Sequence, residues 1–339
     1  LKPTRILQVL VSAGLLALLV RWIDLGAFRR AVASADPALL GVALLLAVAD
    51  RVLMAIKWNL LLAAKRIRLR WTEAVRLYWN ATFLGLFLPA TVGADVVRAV
   101  VLSRSESRRA DVVSSILVER FLGLVALAVF GFGGAVLAPA VLGGGAVDRA
   151  RLLVIAGGAA LAIVAALGFS FTPACERLVD AVSARAAGRR GVGRPAEVLA
   201  KVYRSFRGYR EHRGVLAAFF ALSLVENLLP VARALCVGRA LHVNVPALFF
   251  VAIVPIELLL IRLPVTVDGF GLREGVFTFF LAKMGVPQSL GFAVGLVNHV
   301  LFLLAVMPGG VIHLLGSADQ GRASRRDGGE GAPADVRSR

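Results

Sequence analysis

Charge, histidine and cysteine are all scarce in this chain, and each scarcity closes off a class of function. Asp, Glu, Lys and Arg make only 18% of the 339 residues, against about a quarter in ordinary soluble domains. The four histidines (His212, His242, His299 and His313) are scattered, so no His-Glu-x-x-His zinc motif exists. Gly-x-Ser-x-Gly, a phosphate-loop Gly-Lys-Ser/Thr and an Asp-x-Asp pair for a nucleotide-sugar metal are missing too. We therefore expect no catalytic residue, no metal and no cofactor, and a transporter rather than an enzyme. Cys175 and Cys236 lack metal-ligand spacing and fall on opposite membrane faces in the topology below, so no disulfide is expected.

What is abundant is apolar length. The chain is 58% hydrophobic with a mean hydropathy of +0.80. A membrane-spanning helix needs about 20 mostly apolar residues. Six stretches approach that: Ile6–Ile23, Ala38–Leu62, Val112–Leu137, Leu152–Phe171, Val215–Val237 and Ser289–Leu315. They are too long for barrel strands, and lipid forces the backbone to satisfy its own hydrogen bonds, so they read as helices. The expected class is an all-α integral membrane protein, with no room for a separate soluble catalytic domain. Lys2 and Arg5 before an apolar stretch imitate a signal peptide, but no small-x-small cleavage site follows, so it reads as a first span. The chain begins at Leu1 rather than Met, so native residues are expected to precede it.

The net charge of +18 would ordinarily suggest nucleic acid. Here the basic residues cluster between apolar runs, as cytoplasmic loops of an inner-membrane protein do, and no nucleic-acid partner is expected. Arg far outnumbers Lys and Ala is abundant, which fits a GC-rich bacterial gene. The longest polar stretch, 172–213, has ten Lys/Arg against four Asp/Glu. Within it, Pro195–Arg210 places Val198, Leu199, Val202, Tyr203 and Phe206 on one helical face, with Lys201, Arg204, Arg207 and Arg210 around the rest. That is an amphipathic helix suited to an anionic leaflet, or else a solvated connection. The Gly-, Arg- and Asp-rich tail, 316–339, is expected to be disordered and cytoplasmic.

Basic residues flank the segment Leu77–Val97 on both sides, so it should enter and leave the membrane on one face, as half-helices Trp71–Phe87 and Val96–Ser103. Its break recurs. Leu88-Pro-Ala-Thr-Val-Gly-Ala-Asp-Val-Val-Arg98 matches Leu263-Pro-Val-Thr-Val-Asp-Gly-Phe-Gly-Leu-Arg273 at Leu, Pro, Thr, Val and Arg, 175 positions on. A second hairpin then spans Pro246–Lys283. Counting sides gives six full spans and two re-entrant hairpins with both termini cytoplasmic. The two halves, about 1–140 and 150–315, form an inverted repeat within a single domain, 1–315. In transporters of that plan, paired interrupted segments mark the binding site near the midplane.

Half-helices starting near Asp95 or Gly269 would aim free N–H groups at a cavity beside Arg98 and Arg273, a reasonable phosphate cradle. The alternative is that Asp95 and Asp268 cap helices and the arginines pair with them. Other ionisable residues inside spans need a cavity or a partner. Asp50/Arg51 and Glu226/Arg233 are expected as ion pairs rather than ligand contacts, Glu119 as partner of a hairpin arginine, and His299 as a hydrogen-bonded packing residue rather than a proton relay; Arg120, Glu257, Arg262 and Asn298 complete the group.

Read in order, several motifs resemble the membrane domain of the lysylphosphatidylglycerol synthase/flippase family. They are Arg51-x5-Lys57-Trp58-x2-Leu61-Leu62, Asn80-x7-Leu88-Pro89-Ala90-Thr91-Val92-Gly93-Ala94-Asp95-Val96-Val97-Arg98, Glu119-Arg120-Phe121-x-Gly123, Leu263-Pro264-x4-Gly269-Phe270-Gly271-Leu272-Arg273-Glu274 and Met307-Pro308-Gly309-Gly310. The resemblance covers most of Ile6–Leu315. Ala90 and Ala94 replace two expected glycines, and Asp268 stands where a small residue is usual. It implies a stand-alone flippase-like protein without the aminoacyl-transferase domain, and it does not imply lysyl transfer. The expected function is a lipid translocase or scramblase moving a phosphate-bearing or polyprenyl-phosphate-linked lipid. The alternative is an intramembrane lipid-modifying transferase, or an accessory of lipid glycosylation or aminoacylation working with a partner enzyme. Candidate substrate contacts are Arg98, Arg273, Asp95, Gly93, Thr91, Asp268, Gly269, Gly271, Glu274, Asn80, Arg51, Lys57, Glu119, Arg120, Glu226 and Glu257.

Overall fold

The computed structural model describes residues 10, 13–15, 17–19, 21, 24–88, 93–105, 108–142, 146–186, 193–262 and 265–314. Most of the expected first span Ile6–Ile23, the tail 316–339 and the centres of both breaks (89–92 and 263–264) lie outside them. The regular structure of the described residues is all helix, without a strand. In chain order the helices are α1 (Leu25–Ala33), α2 (Pro37–Ala64), α3 (Trp71–Phe87), α4 (Gly93–Ser105), α5 (Arg109–Leu142), α6 (Ala146–Ser170), α7 (Pro173–Ala186) and α8 (Gly193–Arg207). After a 3-10 turn (Gly208–Glu211) come α9 (Arg213–Ala240), α10 (Ala247–Leu260), α11 (Leu272–Lys283) and α12 (Gln288–Val306).

Among the described residues, four helices are long and apolar enough to cross a membrane: Pro37–Ala64, Arg109–Leu137, Arg213–Ala240 and Gln288–Leu314. The 28 residues of α2 reach about 42 Å at 1.5 Å each, more than a bilayer core of about 30 Å. The expected span Leu152–Phe171 coincides with most of the 25-residue helix α6, and the chain bends just after it. Its second half, Leu161–Ser170, meets Pro173–Arg185 at 64°, and the two make a fifth span only if counted together. Thr172-Pro173 explains the bend, because Pro173 opens the second helix and disfavours helical backbone in the residue before it.

Local chemistry sets the boundaries. Asp36 caps α2 by accepting from Ala38 N–H (2.8 Å) and Leu39 N–H (3.3 Å), with Pro37 at the first helical position. Pro255 inside α10 leaves the Val251 carbonyl without its helical donor. There α5 crosses at Gly134, where a Cβ would stand 3.0 Å from that oxygen.

The largest core lies between α9, α10, α11 and α12, around Phe249, Phe250, Phe277 and Val294. Glycines let α12 approach α11: a Cβ on Gly295 would fall 2.6 Å from Glu274 Cα, and one on Gly291 2.8 Å from Thr278 Cα. Small residues at such contacts are what bring membrane helices together. Gly295→Val should therefore overpack this contact, costing about 1–3 kcal/mol and lowering the unfolding temperature of detergent-purified protein. An unchanged melting curve would count against the contact.

The helix in the polar loop docks on protein as well as facing out. In α8, Val202 and Phe206 are buried, Phe206 stacking on Phe171 (4.8 Å) and meeting Phe121 edge-on (5.8 Å). Val198 and Leu199, expected on the same face, are exposed with Lys201 and Arg204. The protein covers only the later part of that face, at Val202 and Phe206. The following turn is pinned by the Tyr209 hydroxyl donating to Leu61 O at 2.9 Å. Burial pushes that phenol's pKa well above its ordinary value, so it stays a donor.

Candidate functional site

Five groups of helices meet at one cavity of about 300 Å³. Its walls are the middle of α2, α3 with the start of α4, the Glu119–Gly123 turn of α5, the middle of α9, and the α10–α11 break with Phe302 of α12. Seven basic side chains (Arg51, Lys57, Arg98, Arg120, Arg233, Arg262, Arg273) and five carboxylates (Asp50, Asp95, Glu119, Glu226, Asp268) face it. So much charge inside a membrane fold persists only where partners or a polar cavity compensate it.

Most of it is paired. Arg98, 2% exposed, bonds Asp95 at 2.5 Å and Glu119 at 2.6 Å. Its guanidinium lies over Tyr78 (4.5 Å) and Trp58 (4.8 Å). Arg120 bonds the second Asp95 oxygen at 2.6 Å, and the Tyr78 hydroxyl donates to Glu119 at 3.2 Å. Across the cavity, Arg273 stands 3.0 Å from Glu257. Asp50 and Arg51 pair as expected.

Glu226 does not pair with Arg233, as the sequence suggested. It pairs with Lys57 of α2, whose ammonium also donates to Ser223 Oγ at 2.9 Å. The reason is geometric: seven residues put Glu226 and Arg233 on one face of α9 but about 10.5 Å apart along the axis. Arg233, 3% exposed, instead donates from Nε to Asn298 Oδ1 at 2.7 Å. Arg262 is exposed on the cavity wall.

The second break is built from left-handed backbone. Asp268 (φ 49°), Gly269 (φ 81°) and Gly271 (φ 81°) all have positive φ. A Cβ on Gly269 would also strike Ile261 Cγ2 at 2.9 Å. α11 starts at Leu272, and its N-terminus is partly occupied by its own chain: Glu274 accepts from Gly271 N–H at 2.7 Å. The other Glu274 oxygen faces His299 Nδ1 at 3.0 Å, and Asp268 lies 3.4 Å from His299 Nε2. His299 is hydrogen-bonded as expected, and it is wedged against Phe270 (4.0 Å between ring centres).

Of the candidate contacts, Arg98, Arg273, Asp95, Gly93, Asp268, Arg51, Lys57, Glu119, Arg120 and Glu226 line the cavity. Gly269, Gly271, Glu274, Asn80 and Glu257 do not line it, and Thr91 lies outside the described residues. Tyr78, Thr266, Asn227 and Phe302 also line it and were not singled out. Thr266 was legible, since it is the repeat partner of Thr91. The others carry no local signal.

Comparison with known proteins follows the same outline. The family described as lysylphosphatidylglycerol synthase TM region matches residues 5–310. Glycosyltransferase AglD of Haloferax volcanii is 26% identical over 352 aligned positions, covering 93% of this chain and 55% of that protein. The chain thus spans about half the length of that relative.

Proposed function

The chain belongs to the lysylphosphatidylglycerol synthase transmembrane-region family, and on that footing we propose that it moves a phosphate-bearing lipid between leaflets. The observation that carries this is the charged cavity of about 300 Å³ buried among apolar helices. A cavity of that size holds a head group and not two acyl chains, which would stay in lipid while the charged walls replace water around the phosphate. The substrate class is a phospholipid or a polyprenyl-phosphate-linked lipid.

The inverted-repeat plan is part of this proposal, and the order of helices supports it. α2, α3, α4 and α5 run long, short, short, long, and α9 to α12 repeat the order. α2 and α9 are both 28 residues, with starts 176 positions apart. The short helices, 17 and 13 residues in one half and 14 and 12 in the other, fall below spanning length, as re-entrant hairpins would. In the same plan the exposed Val198, Leu199, Lys201 and Arg204 of α8 rest on an anionic cytoplasmic leaflet.

The test is head-group accessibility in proteoliposomes. Wild-type protein should expose inner-leaflet fluorescent phospholipid to an impermeant quencher much faster than empty liposomes do. Unchanged accessibility across phosphatidylglycerol, an aminoacylated phospholipid and a polyprenyl phosphate would defeat the proposal. One observation favours a second reading, a membrane module serving lipid modification: the relative in Haloferax volcanii is named a glycosyltransferase. Membranes containing this protein would then change the yield of a glycosylated lipid without moving labelled lipid.

A further inference from the structure

Arg233 is the buried cation of the cavity whose charge the protein leaves open. No carboxylate of the described residues stands within 4.0 Å of it, and its bond to Asn298 engages Nε alone. A second buried guanidinium, that of Arg273, lines the same cavity. Two guanidiniums held near one another away from water call for an anion between them. Three donors nearby, Arg273 Nε, Asn298 Nδ2 and Thr266 Oγ1, are buried without a hydrogen-bond partner, as are the acceptors Asp50 Oδ1 and both Glu257 oxygens, of which Glu257 is already the ion partner of Arg273. Arg233, Arg273 and Thr266 all line the cavity.

The other half of the chain shows what completes such a site. Arg233 stands 176 positions after Lys57, and Glu226 stands 176 after Asp50, the spacing that separates the starts of α9 and α2. Lys57 has its anion, the Glu226 carboxylate. By the same correspondence Arg233 would take Asp50, but Asp50 is held by Arg51 through one oxygen, and its other oxygen has no partner. One seat is filled by a carboxylate of the protein, and its counterpart is open.

Resting on the reading of the cavity as a head-group site, we propose that Arg233 is the seat for a lipid's phosphate. Its two terminal nitrogens take the oxyanion, and Arg273 Nε and the Thr266 hydroxyl close on it from the second break. The planar fork of an arginine suits two phosphate oxygens at once. This moves the phosphate away from Arg98, whose two terminal nitrogens are engaged by Glu119 and Asp95 and which keeps only Nε without a partner.

Calorimetric titration of detergent-purified protein with dioctanoyl phosphatidylglycerol tests this, with dioctanoylglycerol as the phosphate-free control. Inorganic phosphate runs in parallel, to separate a free-anion site from a lipid site. Arg233→Gln should weaken phosphatidylglycerol binding at least tenfold, and Arg233→Lys should restore part of it. Asn298→Asp leaves Arg233 in place but supplies an internal carboxylate, and should weaken binding equally, which keeps the test open if Arg233→Gln fails to fold. The proposal is overturned if Arg233→Gln or Asn298→Asp, folded, binds like wild type, or if wild type does not prefer the phospholipid over dioctanoylglycerol. Binding that depends on Arg233 without lipid movement in liposomes would sink the translocase and leave the seat. Lipid movement with binding indifferent to both variants would do the reverse.

Discussion

Arg98→Met should cost about 3–5 kcal/mol of stability, the range for removing one member of a buried ion pair. Arg98 is 2% exposed and serves two carboxylates at once, Asp95 and Glu119. The loss falls unevenly on them. Asp95 keeps Arg120 at 2.6 Å, whereas Glu119 keeps only the Tyr78 hydroxyl at 3.2 Å. Glu119 is therefore the stranded charge, and Arg98→Met/Glu119→Gln should regain most of the loss. Thermal unfolding in detergent measures both. If the double variant is no more stable than Arg98→Met, then the loss comes from the packing of Arg98 on Trp58 and Tyr78 rather than from a stranded carboxylate. The same network bears on functional assays: alanine at Arg98 or Arg273 unbalances a carboxylate cluster, so lost lipid movement in such a variant is informative only beside a melting curve.

The spans and the breaks were readable because they rest on local composition. Apolar length marks α2, α5, α9 and α12, and Pro-Gly chemistry marks the ends of α3 and α10. The start of α11 was placed near Gly269, three residues early, because Asp268, Gly269 and Gly271 extend the turn before the first helical residue, Leu272. Which charges share the cavity was also largely readable, since ionisable residues inside apolar helices have few places to go. Who pairs with whom was readable only in part. Glu119 takes a hairpin arginine as expected, Arg98, whereas Lys57 finds Glu226 across 169 positions, a distance at which sequence carries no register. The adjacent pair Asp50–Arg51 was the readable kind. Within α9, Glu226 and Arg233 share a face but sit about two turns apart.

Replacing Lys57 by Met should destabilise the protein as strongly as the loss of Arg98, by about 3–5 kcal/mol, and for a reason that concerns the two halves together. Lys57 is 1% exposed on α2, and its carboxylate is on α9, so their bond ties the first half of the chain to the second. Lys57→Met alone leaves Glu226 buried without a cation. Lys57→Met/Glu226→Gln removes both charges and should recover stability to within about 1 kcal/mol of wild type, because a neutral buried pair often replaces an ion pair at little cost. A double-mutant cycle in thermal unfolding reads the coupling directly. Additive losses would show that the two residues act separately and that the helices are held by their apolar contacts alone. Strong coupling would show the filled seat to be a working clamp between the halves, leaving Arg233, its counterpart 176 positions on, as the seat that the protein does not fill for itself.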